Sequence, residues 1–260
     1  MIRTFDPFVL NDYPTSDGRP MAETDWHRDL MFELIETLKL HYAADPDIYV
    51  SGNLLIYYEP GNKRRHVSPD VFVVRGVPNG SRPNYLIWEE GKAPEVVIEL
   101  TSSSTRREDV DKKFKLYRDV LKVKEYFLFD PREDYLEPPM RGYRLVGGEY
   151  RPIRPKDGRL PSRILGMHLE RNGLILRIWN PETGRWLPTP NERADEAEER
   201  ADEAEERAAT IAARAAAAEE RLEIQQRATE EARAEVERLR QLIANRDTKT
   251  NGTNGANGHR

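Results

Sequence analysis

Cysteine is absent from the 260-residue chain. That excludes disulfides, cysteine-bearing zinc sites and a thiol nucleophile. Long apolar runs are lacking too; the longest are a few residues, against the roughly 20 needed to cross a bilayer. Residues 1–7 carry no basic start followed by an apolar run, so no secretory signal is visible. The expectation is a cytoplasmic protein with no membrane association. Apolar residues in general are sparse. With 38% hydrophobic and 33% charged residues, the chain is too polar for one globule of this length, and part of it must lie outside any core.

Aromatic residues disappear after Trp186, and the composition changes near Pro188-Thr189-Pro190 to Ala, Glu and Arg. Residues 191–260 hold 12 basic and 17 acidic side chains, a charge of −5; the first 190 then hold 29 of each sign and are neutral. The acidic balance therefore belongs to the tail and does not exclude nucleic acid as a partner of the rest.

The tail repeats every seven residues: 192–198 recurs identically as 199–205. With Ala194 at heptad position a, the a and d positions carry Ala, Ile, Leu, Val, Thr and Gln but no charge as far as Ile243. That pattern predicts a long helix that pairs with a second copy, with a thin seam wherever Ala fills it. The other reading is a lone charged helix held by i,i+4 pairs such as Glu196 with Arg200 and Glu203 with Arg207. The division expected is a folded domain over 1–188, a coiled coil over 189–245 and a disordered tail over 246–260, where Asn-Gly pairs recur.

The first 190 residues read as mixed α and β. Thr24 or Asp25 can cap a helix with Leu30, Leu34 and Leu38 on one side, ending near Ala44. Residues 48–59 and 66–75 read as strands about the turn Pro60-Gly61-Asn62. The run Val96, Val97, Ile98, Glu99, Leu100 reads as a central strand, 107–120 as a helix, and 125–129 as another central strand. Hairpin pieces follow over 143–146, 150–153 and 174–179. The order is α-β-β-β-α-β, then further strands.

Three residues stand out for chemistry. A carboxylate inside an apolar strand, Glu99, needs a cation, a proton or hydrogen bonds; a functional role and plain pairing at the strand end suit it equally. Asp70, after Pro69, alone reads as a turn or cap residue, and Lys113 alone as part of a solvated basic face. Together, two carboxylates on adjacent strands and a lysine on the next helix can converge on one point. Hard divalent ions take such oxygen ligands with water and phosphate, and a nearby lysine can orient the attacking water. That is equipment for phosphodiester hydrolysis.

The set Pro69-Asp70, Glu99 and a downstream lysine on this α-β-β-β-α-β order resembles the PD-(D/E)xK nuclease superfamily. More closely, residues 10–185 resemble the Uma-type restriction endonuclease family. The matching positions are 17–21, His27, Pro69-Asp70-Val71, 97–99, 102–107, Lys113 with Tyr117, Glu125-Tyr126 and Asp130-Pro131. The resemblance implies a restriction-endonuclease-like core with extra β-hairpins, followed by the coiled-coil helix. It implies Mg²⁺ or Mn²⁺ held by Asp70, Glu99 and the Leu100 carbonyl, with Lys113 orienting water. Thr101 stands where the superfamily lysine would fall; this family commonly carries it on the next helix, at Lys113 here. Glu23 and His27 are accessory candidates, for a second cation or for phosphate. Arg106, Arg107, Lys112 and Lys115 are candidates for DNA phosphates, as are Lys63, Arg64, Arg65 and His66. The expected protein is a DNA endonuclease that dimerises through its tail. The competing expectation is an inactive or weakly active nuclease-fold module for DNA binding or protein interaction.

Overall fold

The computed structural model describes residues 12–16, 24–102 and 107–251, with side chains through Ile243. The chain forms two compact units that divide between Ala194 and Asp195.

Helix α1 (Asp25–His41) begins at Thr24, whose hydroxyl accepts the His27 amide at 3.3 Å. Leu30, Met31, Leu34, Ile35 and Leu38 line its buried side. It stops at His41, short of Ala44, where the Tyr42 amide donates to the Leu38 carbonyl. Strands β1 (Ile48–Ser51), β2 (Ile56–Tyr57), β3 (His66–Val67), β4 (Val71–Arg75) and β5 (Tyr85–Leu86) follow, then the single turn α2 (Ile87–Glu90) and β6 (Val96–Leu100). Next come a helix wound largely as π (Glu108–Lys113 and Leu116–Val120) and strands β7 (Glu125–Phe129), β8 (Met140–Val146) and β9 (Glu149–Pro152).

The main sheet runs β1-β4-β6-β7-β8-β9. Within this sheet, among the described residues, only β6 and β7 pair in parallel, which the helix between them permits. Side chains alternate across it. Val71, Val73, Val96, Ile98, Leu100, Phe127 and Phe129 face α1. Phe72, Val74, Val97, Tyr126 and Leu128 face the π-wound helix, through Tyr117 and Leu121. Each such fully buried side chain contributes about 1.5–3 kcal/mol, so the central strands are fixed from both sides.

The two long strands expected over 48–59 and 66–75 are each broken. Asn53 takes a positive φ of 47°, and its amide donates to the Pro69 carbonyl at 2.8 Å. Gly52 lies so close to the Asp70 backbone that a Cβ would sit 1.9 Å from the Asp70 carbonyl oxygen. The outer pieces β2 and β3 separate and join β5 in a three-stranded sheet.

A second sheet, β10 (Arg159–Pro161), β11 (His168–Asn172), β12 (Ile175–Asn180) and β13 (Arg185–Trp186), covers the far side of the α1 core through Leu160, Leu169, Leu176 and Ile178.

Helix α3 runs from Pro190 to Asn251. A capping box starts it: Thr189 accepts the Glu192 amide at 3.2 Å, and Glu192 accepts the Thr189 amide at 2.7 Å. Arg177 of β12 grips the same carboxylate at 2.8 and 2.9 Å. The helix continues past the expected end, so residues 246–251 are helical rather than disordered; 252–260 lie outside the described residues. The pair Glu203 with Arg207 forms at 2.8 Å, whereas Arg200 turns to the Glu196 backbone carbonyl. Among the described residues no helix is long and apolar enough to cross a membrane.

Candidate active site

Strand β6 delivers Glu99 and the residue before β4 delivers Asp70. The antiparallel register pairs Val71 with Ile98 and Phe72 with Val97. One step further sets Asp70 opposite Glu99, and opposed residues share a face. That is the face covered by the π-wound helix. Two bonds lock the pair: the Asp70 amide donates to Glu99 Oε2 at 3.3 Å, and the Leu100 amide donates to Asp70 Oδ2 at 2.7 Å.

The helix brings three residues at four-residue intervals. Lys113 Nζ lies 2.9 Å from Glu99 Oε2 and 3.1 Å from Asp109 Oδ1. The Tyr117 hydroxyl donates to Glu99 Oε1 at 2.7 Å. Tyr126 of β7 donates to the Asp109 backbone carbonyl at 3.0 Å. Wide π turns, which recur at functional sites, let Asp109, Lys113 and Tyr117 share the side against the sheet. From the other face of the sheet, the first turn of α1 places His27 Nε2 3.7 Å from Asp70 Oδ2. Glu99 is wholly buried and Asp109 nearly so, while the side chains of Lys113 and Asp70 are 13% and 15% exposed. The cluster therefore opens to solvent along Asp70 and Lys113, with Glu99 beneath.

Three carboxylates, Asp70, Glu99 and Asp109, surround one lysine. Burial opposes ionisation of Asp70, but His27, the Lys113 charge and the Leu100 amide hold its carboxyl below the ordinary range. Burial, with the charges of Asp70 and Asp109, pushes Glu99 well above its ordinary value against the pull of Lys113 and Tyr117. Burial also works against the Lys113 cation, yet Glu99, Asp109 and Asp70 outweigh it and raise its pKa. A cation entering beside Glu99 would favour its ionised form, which burial and the neighbouring carboxylates oppose.

The donor set fits a hard ion. Asp70 and Glu99 supply oxygens on one face, and Asp70 reaches the opening. Among the described residues no three His, Asp or Glu side chains form a ready-made metal cage. A Mg²⁺-type site does not require one, since water and phosphate complete its octahedron.

Of the other residues singled out in the sequence, Leu100 enters the cluster through its amide. Arg107, Lys112 and Lys115 are exposed, and Lys115 makes a 3.9 Å contact with Asp111. Glu23 and Arg106 lie outside the described residues. Thr101 is buried, and its hydroxyl has no hydrogen-bond partner among the described residues. The ammonium beside Glu99 comes from Lys113. The sequence reading missed Asp109; the signal was its four-residue step to Lys113 and on to Tyr117.

Fold and site together define a mixed α and β protein with multi-stranded sheets, an acidic cluster closed by one lysine, and a long C-terminal helix. The chain belongs to the Uma2 family, described as "Putative restriction endonuclease", whose profile matches residues 12–172. A crystal structure from Anabaena variabilis, titled a "putative nuclease", is similar with a TM-score of 0.45 and 19% identity, over 60% of this chain and 83% of that one. No curated protein matches.

Proposed function

We propose that the protein is a divalent-metal-dependent endonuclease that hydrolyses DNA phosphodiester bonds. The observation that carries this reading is the buried cluster of Asp70, Glu99 and Asp109 around Lys113, with the Asp70 and Lys113 side chains partly exposed. Family membership supports a nuclease. The order α1, β1, β4, β6, π-wound helix, β7, with β2, β3 and β5 set apart in another sheet, supports reading it as a restriction-endonuclease-like α-β-β-β-α-β core.

Asp70 and Glu99 would hold Mg²⁺ or Mn²⁺, with the Leu100 carbonyl as a further ligand. The ion, when bound, supplies neutralisation of phosphate charge and acidification of water. Lys113 orients the attacking water and stabilises the negative charge that develops on the phosphate. Tyr117 and the Asp70 amide fix the Glu99 carboxylate. His27 steadies Asp70, and His27 and Glu23 are the candidates for an accessory cation or phosphate contact. Arg107, Lys112 and Lys115, all exposed, would meet DNA phosphates, and Arg106 is the fourth candidate for the same role.

The tail is proposed to pair two copies in the cytoplasm, giving each strand of a duplex its own site. Ile211, Leu222, Val236, Leu239 and Ile243 are all exposed on the single chain, as an unpaired coiled-coil seam requires.

Thr101, in place of the superfamily lysine, favours a second reading: an inactive nuclease-fold module that binds DNA or protein. Cleavage of supercoiled plasmid with Mg²⁺, with EDTA, and by Asp70→Ala separates them. The enzyme nicks only with Mg²⁺ and only with Asp70; the module binds without cutting.

A further inference from the structure

Lys113 has two seats. Its Nζ is 2.9 Å from Glu99 Oε2 and 3.1 Å from Asp109 Oδ1. Glu99 Oε1 is already taken by the Tyr117 hydroxyl, at 2.7 Å. The oxygen on the Asp70 side is Oε2, whose two lone-pair sites already face the Asp70 amide at 3.3 Å and Lys113. Cation and ammonium compete for a single atom.

Asp109 resolves that competition. Its position is fixed from the backbone by the Tyr126 hydroxyl on its carbonyl, at 3.0 Å, and its side chain is nearly fully buried. An ammonium carries three donors, so Lys113 can give up its bond to Glu99 and still be held. We infer that Asp109 is the positioning residue that retains Lys113 when Glu99 turns to the divalent cation, keeping the ammonium at the site opening where water and phosphate arrive. This rests on the metal-dependent nuclease reading of the same cluster.

The test labels Lys113 of the full-length protein with an amine-reactive ester, read by peptide mass spectrometry, with and without saturating Mn²⁺. In the wild type, Asp109 holds the lysine in both states, so labelling should change by less than about twofold. In Asp109→Asn it should stay low without Mn²⁺, when Glu99 still holds the lysine, and rise about fivefold or more with it. Asp109→Glu should restore the wild-type pattern. In Asp109→Asn, kcat for plasmid cleavage should fall about tenfold with KM for DNA nearly constant.

A wild-type Lys113 that becomes strongly labelled on adding Mn²⁺ overturns the inference, and that measurement does not depend on any variant folding. So does Asp109→Asn labelling like the wild type. Calorimetry on the wild type separates the two levels. If Mn²⁺ binds and the labelling contradicts the pattern, the role of Asp109 falls alone. If Mn²⁺ does not bind, the nuclease reading falls and this inference with it.

Discussion

The Lys113 ammonium lies 2.9 Å from the Glu99 carboxylate, and Glu99 has no exposed surface. This makes the lysine structural as well as chemical. Removing one partner of a buried pair leaves an uncompensated charge, at a cost of about 3–5 kcal/mol. Lys113→Ala should therefore lower the melting temperature by roughly 10 °C for a unit of this size. Adding Glu99→Gln to Lys113→Met should recover much of that loss. Thermal melts of the single and double variants check it; equal melting of Lys113→Ala and wild type would show that the pair stabilises nothing.

Gly52 sets the position of Asp70 without touching any charge. A Cβ there would stand 1.9 Å from the Asp70 carbonyl oxygen and 2.6 Å from the Ile35 side chain. Gly52→Ala should push the Asp70 backbone away from β6, weakening its 2.7 Å bond from the Leu100 amide. The expected outcome is Mn²⁺ affinity reduced about tenfold or more with the fold retained, measured by calorimetry and circular dichroism.

Much of this site was legible before the structure. A glutamate inside Val96, Val97, Ile98 and Leu100 has to be buried, and a buried carboxylate has to be compensated. Lys113 by itself read as part of a solvated basic face, and the family resemblance singled it out. Asp109 was not legible. In Glu108-Asp109-Val110-Asp111-Lys112-Lys113 five of six residues are charged, so the segment looks like a solvated face. Helical periodicity assumes an α turn, and nothing in the pattern announces π winding. The breaks at Gly52-Asn53 and Pro69 were read through, because the apolar runs on either side of each looked continuous. Strands β10, β11 and β13 are short and half polar, and their burial depends on a core built by α1 far earlier in the chain.

Glu95 carries an acid-side prediction. Burial works against its ionisation, but contacts with Lys124 and with Arg75, the latter at 3.1 Å, outweigh it and lower its pKa from 4.5. A carboxyl whose pKa is depressed by folding stabilises the protein fully above its unfolded value, and the gain is lost as pH falls through the folded one. Glu95→Gln should thus be less stable than wild type at pH 7. The difference should shrink steadily below pH 4.5. Denaturant titrations across that range read it; a gap independent of pH would contradict the ion-pair origin.

The tail carries a prediction about assembly. Because Glu192 belongs to the capping box and to the Arg177 contact, truncation should fall after Ala194 rather than before it. The shortened protein should be a monomer by sedimentation, and the full chain a dimer at micromolar concentration. Leu239→Lys in the full chain should also yield monomers, since a charge in the seam is costly. A truncated protein that stays dimeric would place the interface elsewhere.

The central claim is that Asp70 and Glu99 hold a divalent cation that DNA cleavage requires. The most direct measurement is calorimetric titration of Mn²⁺ into the full-length protein and into Asp70→Ala, paired with plasmid cleavage by the same samples. The account predicts Mn²⁺ binding by the wild type, weakened about tenfold or more in the variant, with cleavage lost alongside it and abolished by EDTA. Equal Mn²⁺ binding by the two proteins, or cleavage that survives EDTA, would contradict it.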